Sequence, residues 1–263
     1  MSEPLINGPA VERVNVLGVG ISILNLERAH DTIAAAISSN RKGYITVTGV
    51  HGISEAQDNP DFRRILNRSF LCTPDGMPTV WMGKLAGHKE MDRVYGPDLM
   101  ELLCRAGVAR GWKHYLYGGA TGVAEELKSK LEARFPGIQI VGTYTPPFRL
   151  LDPNEERDLT ERVARSKPDL FWVGLSTPKQ ERFMAVNLPK LETKLMLGVG
   201  AAFDFHAGKV KQAPRWIQRS GLEWAYRIGQ EPRRLWKRYA RNNPLFVTRV
   251  LLQKSGLRKY PLE

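Results

Sequence analysis

Short β-rich runs alternate with helical stretches along most of this chain, and that alternation limits the fold more than any other feature. Runs rich in Val, Ile, Tyr and Phe predict strands, and longer segments between them predict helices. The predicted strands are residues 13–19, 43–48, 69–73, 113–118, 139–144, 169–175 and 194–200. The predicted helices are residues 27–39, 52–57, 60–67, 97–110, 121–134, 154–166 and 178–187. This order predicts an α/β fold, and 263 residues suffice for one large α/β domain or for a domain with an appendage.

Polar segments that contain glycine or proline follow several of the predicted strands. They are GVHG, PDG, GAT, STPKQE and AAFDFHAG. In open parallel sheets, ligands bind at the carboxyl edge of the strands. Connections between strands and helices also need these residue types simply to turn. Because several such segments share one predicted edge, the sequence favours a common binding site there.

Asp75 and a pair of glycines are candidates within that edge. Asp75 lies in the turn TPDGM with no salt-bridge partner evident nearby in the sequence, and a carboxylate there can act as general base for a hydroxyl. Gly118 and Gly119 lie between a strand and a helix, where a nucleotide or phosphate can approach the backbone. Neither the G-x-G-x-x-G nor the P-loop pattern is present. A tight turn is the alternative explanation at both places.

Two further segments carry charged candidates. STPKQERF places Lys179 at the start of a predicted helix, where a cation opposes the helix dipole; this favours a ligand, with a solvated lysine as the alternative. Arg93, in DRVYGPDL, fits anion recognition, although most loop arginines are simply solvated.

The sequence offers no support for metal catalysis or disulfides. There is no D-x-D motif, and His30, His51, His88, His114 and His206 have no metal-binding spacing. Cys72 and Cys104 match no disulfide or metal framework, and no apolar leader opens the chain, so we expect a cytoplasmic protein. The stretch PLFVTRVLLQ is shorter than the ~20 residues needed to span a bilayer.

Positive charge is concentrated at the end of the chain. The net charge is +12, and residues 209–263 contain 14 Lys and Arg against 3 Glu. Such asymmetry indicates a polyanionic partner: a nucleic acid, an anionic membrane or a phosphorylated substrate.

The segment EPRRLWKRYARN (231–242) predicts a basic amphipathic helix that begins at Pro232. Five basic residues share an arc of ~140°, with Leu235, Trp236 and Tyr239 on the adjoining face. The five are Arg233, Arg234, Lys237, Arg238 and Arg241. This pattern is typical of helices at a membrane interface. A helix docked on the body with solvated charges is the second reading, and nucleic-acid binding without a known motif is the third.

Seven segments, in this order and spacing, resemble the WecG/TagA/CpsF glycosyltransferase family over about residues 14–250. They are GYITVTGVHG, TPDGMPTVW, DRVYGPDLM, YLYGGATGVAEEL, PDLFWVGLSTPKQERF, GVGAAFDFHAGKVKQAPRW and GLEWAYRIGQEPRRLWKRY. The resemblance implies sugar transfer from a UDP-sugar to a polyprenyl-diphosphate-linked acceptor, with inversion and without a metal or other cofactor. It also implies a role in bacterial cell-surface polysaccharide or exopolysaccharide assembly.

The resemblance assigns expected roles to residues. Asp75 is the expected base, and Thr48, Arg93 and Gln180 are the other expected catalytic residues. The donor is expected near Gly118, Gly119, Lys179 and His51. The lipid diphosphate and the membrane are expected to contact Arg227, Arg234, Lys237, Arg238 and Arg241.

One position departs from the family pattern. Many members read T-x-N after the second predicted strand, whereas this chain reads Thr48-Gly49-Val50. An amide that would reach the donor sugar is therefore missing, and a UDP-glucose type of donor rivals UDP-N-acetylmannosamine.

We therefore expect a Rossmann-like parallel-sheet body (1–207) that binds a UDP-sugar, with a basic helical appendage (208–263) for the acceptor and the membrane. We expect the protein on the inner face of the cell membrane, without nucleic acid, and the sequence allows a homo-oligomer. The alternative is a non-enzymatic nucleic-acid-binding protein that uses the basic tail; it would lose its ligand with residues 208–263, whereas the enzyme would still bind UDP.

Overall fold

A parallel six-stranded sheet forms the centre of the protein, in a computed structural model that describes residues 11–262 except the side chain of Arg234. Its strands are β3 (Gly43–Thr48), β4 (Leu71–Pro74), β5 (Lys113–Gly118), β6 (Gln139–Tyr144), β7 (Leu170–Gly174) and β8 (Leu195–Gly198). They lie in the order β4-β3-β8-β7-β5-β6, and every neighbouring pair is parallel. The predicted α/β, Rossmann-like fold with helices on a parallel sheet is confirmed.

Helices connect the strands and continue to the end of the chain. They are α1 (Leu26–Ser38), α2 (Val50–Asp58), α3 (Pro60–Arg68), α4 (Met77–Leu85), α5 (Gly96–Arg110), α6 (Val123–Arg134), α7 (Pro153–Ser166), α8 (Lys179–Asn187), α9 (Ala202–His206), α10 (Arg215–Ser220), α11 (Glu223–Gln230) and α12 (Pro232–Lys254). The seven helices predicted from the sequence are all present. Helix α12 begins at Pro232, as its sequence predicts, because proline suits the first turn of a helix.

The prediction of one strand over residues 13–19 is wrong. Two strands, β1 (Arg13–Val16) and β2 (Val19–Ser22), form an antiparallel hairpin that is separate from the main sheet. The chain reverses at Leu17 and Gly18, which both have positive φ angles, 54° and 79°. Positive φ at both central residues is what a two-residue hairpin turn requires, and it ends the strand.

Alternate residues of the central strands build the two sides of the core. One row of paired residues contains Tyr44, Met196, Phe171 and Tyr115, and it packs on α7 and α8. The opposite face is packed by α1, α5 and α6 around Trp172. Both faces are therefore covered, which is the usual condition of an all-parallel sheet.

The last part of the chain packs against the N-terminal hairpin. Phe246 and Tyr260 are buried in one apolar cluster with residues of β1, β2, α2 and α3. The Asn15 side chain donates to the Tyr260 carbonyl at 2.7 Å, and the Leu17 amide donates to the Gln253 side chain at 3.1 Å. Residues 208–262 thus contact the body extensively, and the boundary at residue 207 stays a prediction. Among the residues that the structure describes, no helix is long and apolar enough to cross a membrane.

His114 is fully buried within β5. Its Nδ1 accepts a hydrogen bond from Trp172 Nε1 at 3.1 Å, so Nδ1 is the unprotonated nitrogen of the neutral ring. Burial lowers the pKa of His114 to about 4, and Asp169 offsets this only in part. Because the folded pKa lies below the usual ~6.5, protonation favours the unfolded chain as pH falls from about 6.5 to about 4.

We expect His114→Asn to flatten the loss of stability in acid. Asparagine can still accept from Trp172 through its side-chain oxygen but cannot be protonated in this range. Between pH 7 and pH 5, the wild type should lose roughly 2 kcal/mol of unfolding free energy through this histidine, and the variant should not. Urea unfolding at both pH values measures the difference, with His88→Asn as a control for replacing a histidine outside the sheet. An equal pH dependence in wild type and His114→Asn would contradict this assignment.

Candidate functional site

The candidate site lies at the carboxyl edge of the sheet, where the connections of β3 and β8 diverge. Strand β3 continues through α2 and α3 to β4 on one side, whereas its other neighbour, β8, is reached from β7. Helix α2 packs on the hairpin side, and α9 packs on α5 and α6. Such a switch point leaves a crevice at the strand ends in which ligands bind.

Asp75 is held directly beside the end of β3. Its amide donates to the Thr48 carbonyl at 3.0 Å. A β-carbon on Gly49 would lie only 2.6 Å from the Asp75 carbonyl oxygen, so position 49 must be glycine for the two backbones to come this close. Gly49 of the T-G-V sequence therefore allows Asp75 to take its position, and Val50 replaces the amide side chain of the family pattern.

Asp75 has an ionic partner that the sequence does not indicate. Arg93 Nη2 lies 3.2 Å from Asp75 Oδ1, and Arg93 Nε lies 3.4 Å from the same oxygen. The same Nη2 lies 2.6 Å from Oε2 of Glu223, the first residue of α11. The side chains are 31% (Asp75), 12% (Arg93) and 14% (Glu223) exposed. Arg93 thus bridges a carboxylate of the body and a carboxylate of the appendage.

Burial and charge act together in this cluster. Burial opposes the charge of Arg93, but the carboxylates of Asp75 and Glu223 outweigh it and raise the pKa of the guanidinium. Burial raises the pKa of Glu223, and Arg93 offsets part of that shift. Arg93 Nη1 is buried and has no hydrogen-bond partner within residues 11–262. One donor of the arginine is therefore left for another acceptor.

Aromatic rings support the cations of the site. The Arg93 guanidinium lies 4.1 Å from the ring centroid of Tyr95, and burial raises the pKa of this tyrosine. The Tyr95 ring lies 6.4 Å from that of Phe205, and the Arg227 guanidinium lies 5.9 Å from the Phe205 ring. The structure therefore brings Asp75, Arg93 and Arg227 into one neighbourhood.

Gln180 and Glu181 form a buried pair at the start of α8. Gln180 Nε2 donates to Glu181 Oε1 at 3.0 Å, and the Thr177 hydroxyl donates to the same oxygen at 2.8 Å. The Gln180 side chain packs against Gly198 and Gly200 at the end of β8, and its Oε1 has no hydrogen-bond partner among the described residues. Burial raises the pKa of Glu181. The glutamine thus offers an unused acceptor next to the crevice.

Thr48 and His51 lie on the β3 side of the crevice. Thr48 is buried, donates to the Thr46 hydroxyl at 3.1 Å and accepts from the Cys72 thiol at 3.4 Å. His51 Nδ1 lies 3.1 Å from the Asn242 side-chain amide of α12. Burial, followed by the charge of Arg238, lowers the pKa of His51 to about 4. His51 is a neutral contact between α2 and the appendage, and its role with the donor stays a prediction.

Packing accounts for the two glycines after β5. A β-carbon on Gly118 would lie 2.6 Å from the Gly174 carbonyl oxygen, and the Gly119 amide already donates to that oxygen at 2.9 Å. Gly119 therefore has no spare amide for a phosphate, and a donor contact at either glycine stays a prediction. Lys179 is exposed at the first position of α8.

The predicted basic residues of the appendage have different surroundings. Lys237 is exposed beside Trp236, and Arg238 is half-buried beside Tyr239. Arg241 is ion-paired with Asp58 of α2 at 3.1 Å, so it helps to dock α12 on the body. The side chain of Arg234 lies outside the described residues. The predicted basic face of α12 thus has two parts: Arg241 contacts the body, whereas Lys237 is exposed to solvent.

An apolar groove of about 600 Å³ lies between α11 and α12. Its lining residues are Trp224, Ile228, Trp236, Tyr239, Ala240, Asn243, Pro244, Val247 and Thr248. Trp224 and Ile228 belong to α11, the same short helix that carries Glu223 and Arg227. Because successive residues of a helix are rotated by ~100°, the face with Trp224 and Ile228 lies ~100° from the face with Glu223 and Arg227.

Glu223 and Tyr95 were missed by sequence reasoning. The signal was present: Glu223 and Arg227 are four residues apart on one helix face, and Glu223 is an acid in a segment dominated by bases. Its partner, Arg93, is 130 residues earlier in the chain, and only the folded chain shows that they meet.

Comparison with known proteins identifies the family to which the chain belongs. The Glycosyl transferase WecG/TagA/CpsF family matches residues 14–260. The chain belongs to this family. An N-acetylglucosaminyldiphosphoundecaprenol N-acetyl-beta-D-mannosaminyltransferase of Bacillus spizizenii is 31% identical over 85% of this chain and 84% of its own. A Bacillus subtilis protein of the same name is 30% identical over 76% of this chain and 75% of its own.

The protein is therefore a glycosyltransferase, and the resemblance found in the sequence is confirmed. Within residues 11–262 there is no group of three or more His, Cys, Asp or Glu side chains placed to hold a metal ion. Independence of the reaction from metals is a separate matter and stays a prediction.

Proposed function

We propose that this glycosyltransferase moves a hexose or N-acetylhexosamine from a UDP-sugar onto a saccharide linked to polyprenyl diphosphate. Both relatives are named for transfer of N-acetylmannosamine to a diphosphoundecaprenol-linked sugar, which supports this class of acceptor. The product would serve bacterial cell-surface polysaccharide or exopolysaccharide assembly.

The observation that carries the proposal is the placement of α11. One face of this helix brings Glu223 to Arg93 and Arg227 to the ring of Phe205, and the adjoining face lines the apolar groove. A polyprenyl diphosphate joins a strongly charged head to a hydrocarbon chain. Helix α11 suits both parts of such a molecule. Arg227 can pair with the diphosphate, and Trp224 and Ile228 can contact the hydrocarbon chain.

The proposed chemistry is a single displacement. Asp75 accepts the proton of the acceptor hydroxyl, the hydroxyl oxygen bonds to the anomeric carbon, and the bond from that carbon to UDP breaks with inversion. UDP leaves with the electron pair. Without a metal, the charge must be met by protein cations. Arg93 supports this role because its buried Nη1 has no partner among the described residues.

The remaining site residues fit a donor at the sheet edge. Gln180 Oε1 has no hydrogen-bond partner among residues 11–262, and Thr48, His51, Gly118, Gly119 and Lys179 lie at or just after the carboxyl ends of the strands. Val50 packs in the apolar cluster of the hairpin, so no amide reaches the donor from this position. UDP-glucose and UDP-N-acetylmannosamine types of donor both remain candidates.

The proposed location is the inner face of the cell membrane. Residues 1–207 would bind the donor, and residues 208–263 would bind the acceptor and the anionic leaflet. Exposed Trp216, Trp224 and Trp236 lie in the appendage together with exposed basic residues, a composition suited to the membrane interface.

Asp75→Asn should keep the fold and lose most of the activity. The amide oxygen can still accept from Arg93, but the side chain can no longer take a proton. We expect turnover to fall ~10²-fold or more. Steady-state transfer to a lipid-diphosphate acceptor measures it, with Asp61→Asn on the surface of α3 as the control. Near-wild-type turnover would exclude Asp75 as the base.

Activity should survive excess EDTA. The proposed site meets the charge of departing UDP with arginine and not with a metal ion, so chelation should leave the rate of transfer unchanged. Loss of activity in EDTA, restored by Mg²⁺ or Mn²⁺, would contradict this part of the proposal.

Membrane binding and turnover should separate by mutation. Arg233 and Lys237 are exposed on α12, so changing both to Glu should weaken binding to anionic liposomes. Each basic residue near an anionic leaflet contributes about 1 kcal/mol, so a loss of at least ~30-fold in affinity is expected. Arg227→Gln should instead lower turnover while liposome binding changes little, because one charge among many is lost.

Arg157 and Arg165, exposed on α7, provide the matched control for the charge reversal. Changing them to Glu alters the net charge equally at a distance from α12. If this control weakens liposome binding as much as the α12 pair, the appendage is not the membrane-binding surface. If Arg227→Gln leaves turnover intact, Arg227 does not act on the diphosphate.

A further inference from the structure

Arg93 is shared between two carboxylates, and its Nη2 contacts both of them. Its Nη2 lies 3.2 Å from Asp75 Oδ1 in the body and 2.6 Å from Glu223 Oε2 in the appendage. The side chains of Arg93 and Glu223 are both nearly buried. A buried charge without a partner is strongly destabilising, so the nearly buried carboxylate of Glu223 depends on its contact with Arg93.

We infer that Glu223 is a positioning residue, which holds Arg93 beside Asp75 and divides the charge of Arg93 between two carboxylates. The inference rests on the proposed function, in which Asp75 accepts a proton. This role does not require Glu223 to contact the substrate.

Glu223 helps to orient the Arg93 side chain. Arg93 has a flexible side chain, and its contacts within the body are with Asp75 and with the ring of Tyr95. The contacts with Asp75 and Tyr95 hold the guanidinium from the side of the body. Glu223 adds the shortest contact of the three groups, from the opposite element. The appendage thus supplies the last constraint on an arginine that belongs to the body.

Glu223 also changes the charge that surrounds Asp75. An aspartate paired with an arginine of its own is held in the ionised form, which makes it a poor proton acceptor. Here Glu223 pairs with the same guanidinium, so the positive charge of Arg93 acts less strongly on Asp75. The other groups around the cluster are Tyr95, from the loop before α5, and Arg227, from α11. A base in this setting remains able to accept a proton while its position stays fixed.

Glu223→Gln tests the inference because it keeps the shape and removes the charge. Arg93 would then pair with Asp75 alone. We expect kcat to fall by ~10-fold or more with a smaller change in KM, and the acidic limb of the pH–rate profile to move to lower pH. Glu223→Asp keeps the charge with a shorter reach, so it should restore part of kcat and the wild-type limb.

Arg215→Gln is the matched control. Arg215 of α10 makes a bidentate ion pair with Asp98 of α5, at 2.5 and 3.0 Å, and this pair also joins the appendage to the body. Its loss should leave the pH–rate profile in place. If Glu223 merely docks the appendage, Glu223→Gln and Arg215→Gln will behave alike, and the inference is wrong. Urea unfolding of each variant separates a change of fold from a change of site.

A second readout does not depend on turnover. The Nη2 protons of Arg93, which face Glu223, should exchange slowly with water in ¹⁵N-resolved NMR spectra of the wild type and of Arg215→Gln, and faster in Glu223→Gln. An unchanged signal in Glu223→Gln would overturn the inference whether or not transfer is observed. Absence of transfer by the wild type would instead count against the proposed function.

Discussion

The ion pairs of Arg93 are the interaction on which the rest of the site depends. An arginine side chain that is only 12% exposed must have its charge paired, and the partners of Arg93 come from two separate parts of the chain. Asp75 is fixed by the sheet, because its backbone lies against Gly49 and is hydrogen-bonded to Thr48. Glu223 is fixed by the start of α11. The position of Arg93 therefore reports whether the body and the appendage are correctly assembled.

Assembly of the appendage uses polar contacts at the site and apolar contacts away from it. Arg215 and Asp98 join α10 to α5, and Asp58 receives both Arg241 and Arg249 from α12. Exposed ion pairs of this kind contribute little stability one by one. Burial of Phe246 and Tyr260 beside the hairpin supplies the apolar part. The ion pairs then set the orientation, which places Arg227 near Tyr95 and Phe205.

Much of the fold could be predicted from the sequence, because periodicity is a local property. The parallel strands, the start of α12 at Pro232 and the position of Asp75 at a strand end all follow from short segments. The hairpin was missed because RVNVLGV continues as a β-rich run through a turn that depends on two backbone angles. Helices α4 and α9 were missed because glycine and proline around them suggested loops. The Arg93–Glu223 contact was beyond reach because it joins residues 130 positions apart.

Contact between the two ends of the described chain has a consequence for energetic coupling. Asn15 and Leu17 of the hairpin bind Tyr260 and Gln253, and α2, which follows Thr48, packs between the hairpin and α12. Coupling between two binding events is reciprocal. A ligand that prefers the docked appendage is therefore expected to lower the population in which the N-terminal hairpin is open. Hydrogen exchange in β1 and β2, far along the chain from α11, would then report on the occupancy of the appendage.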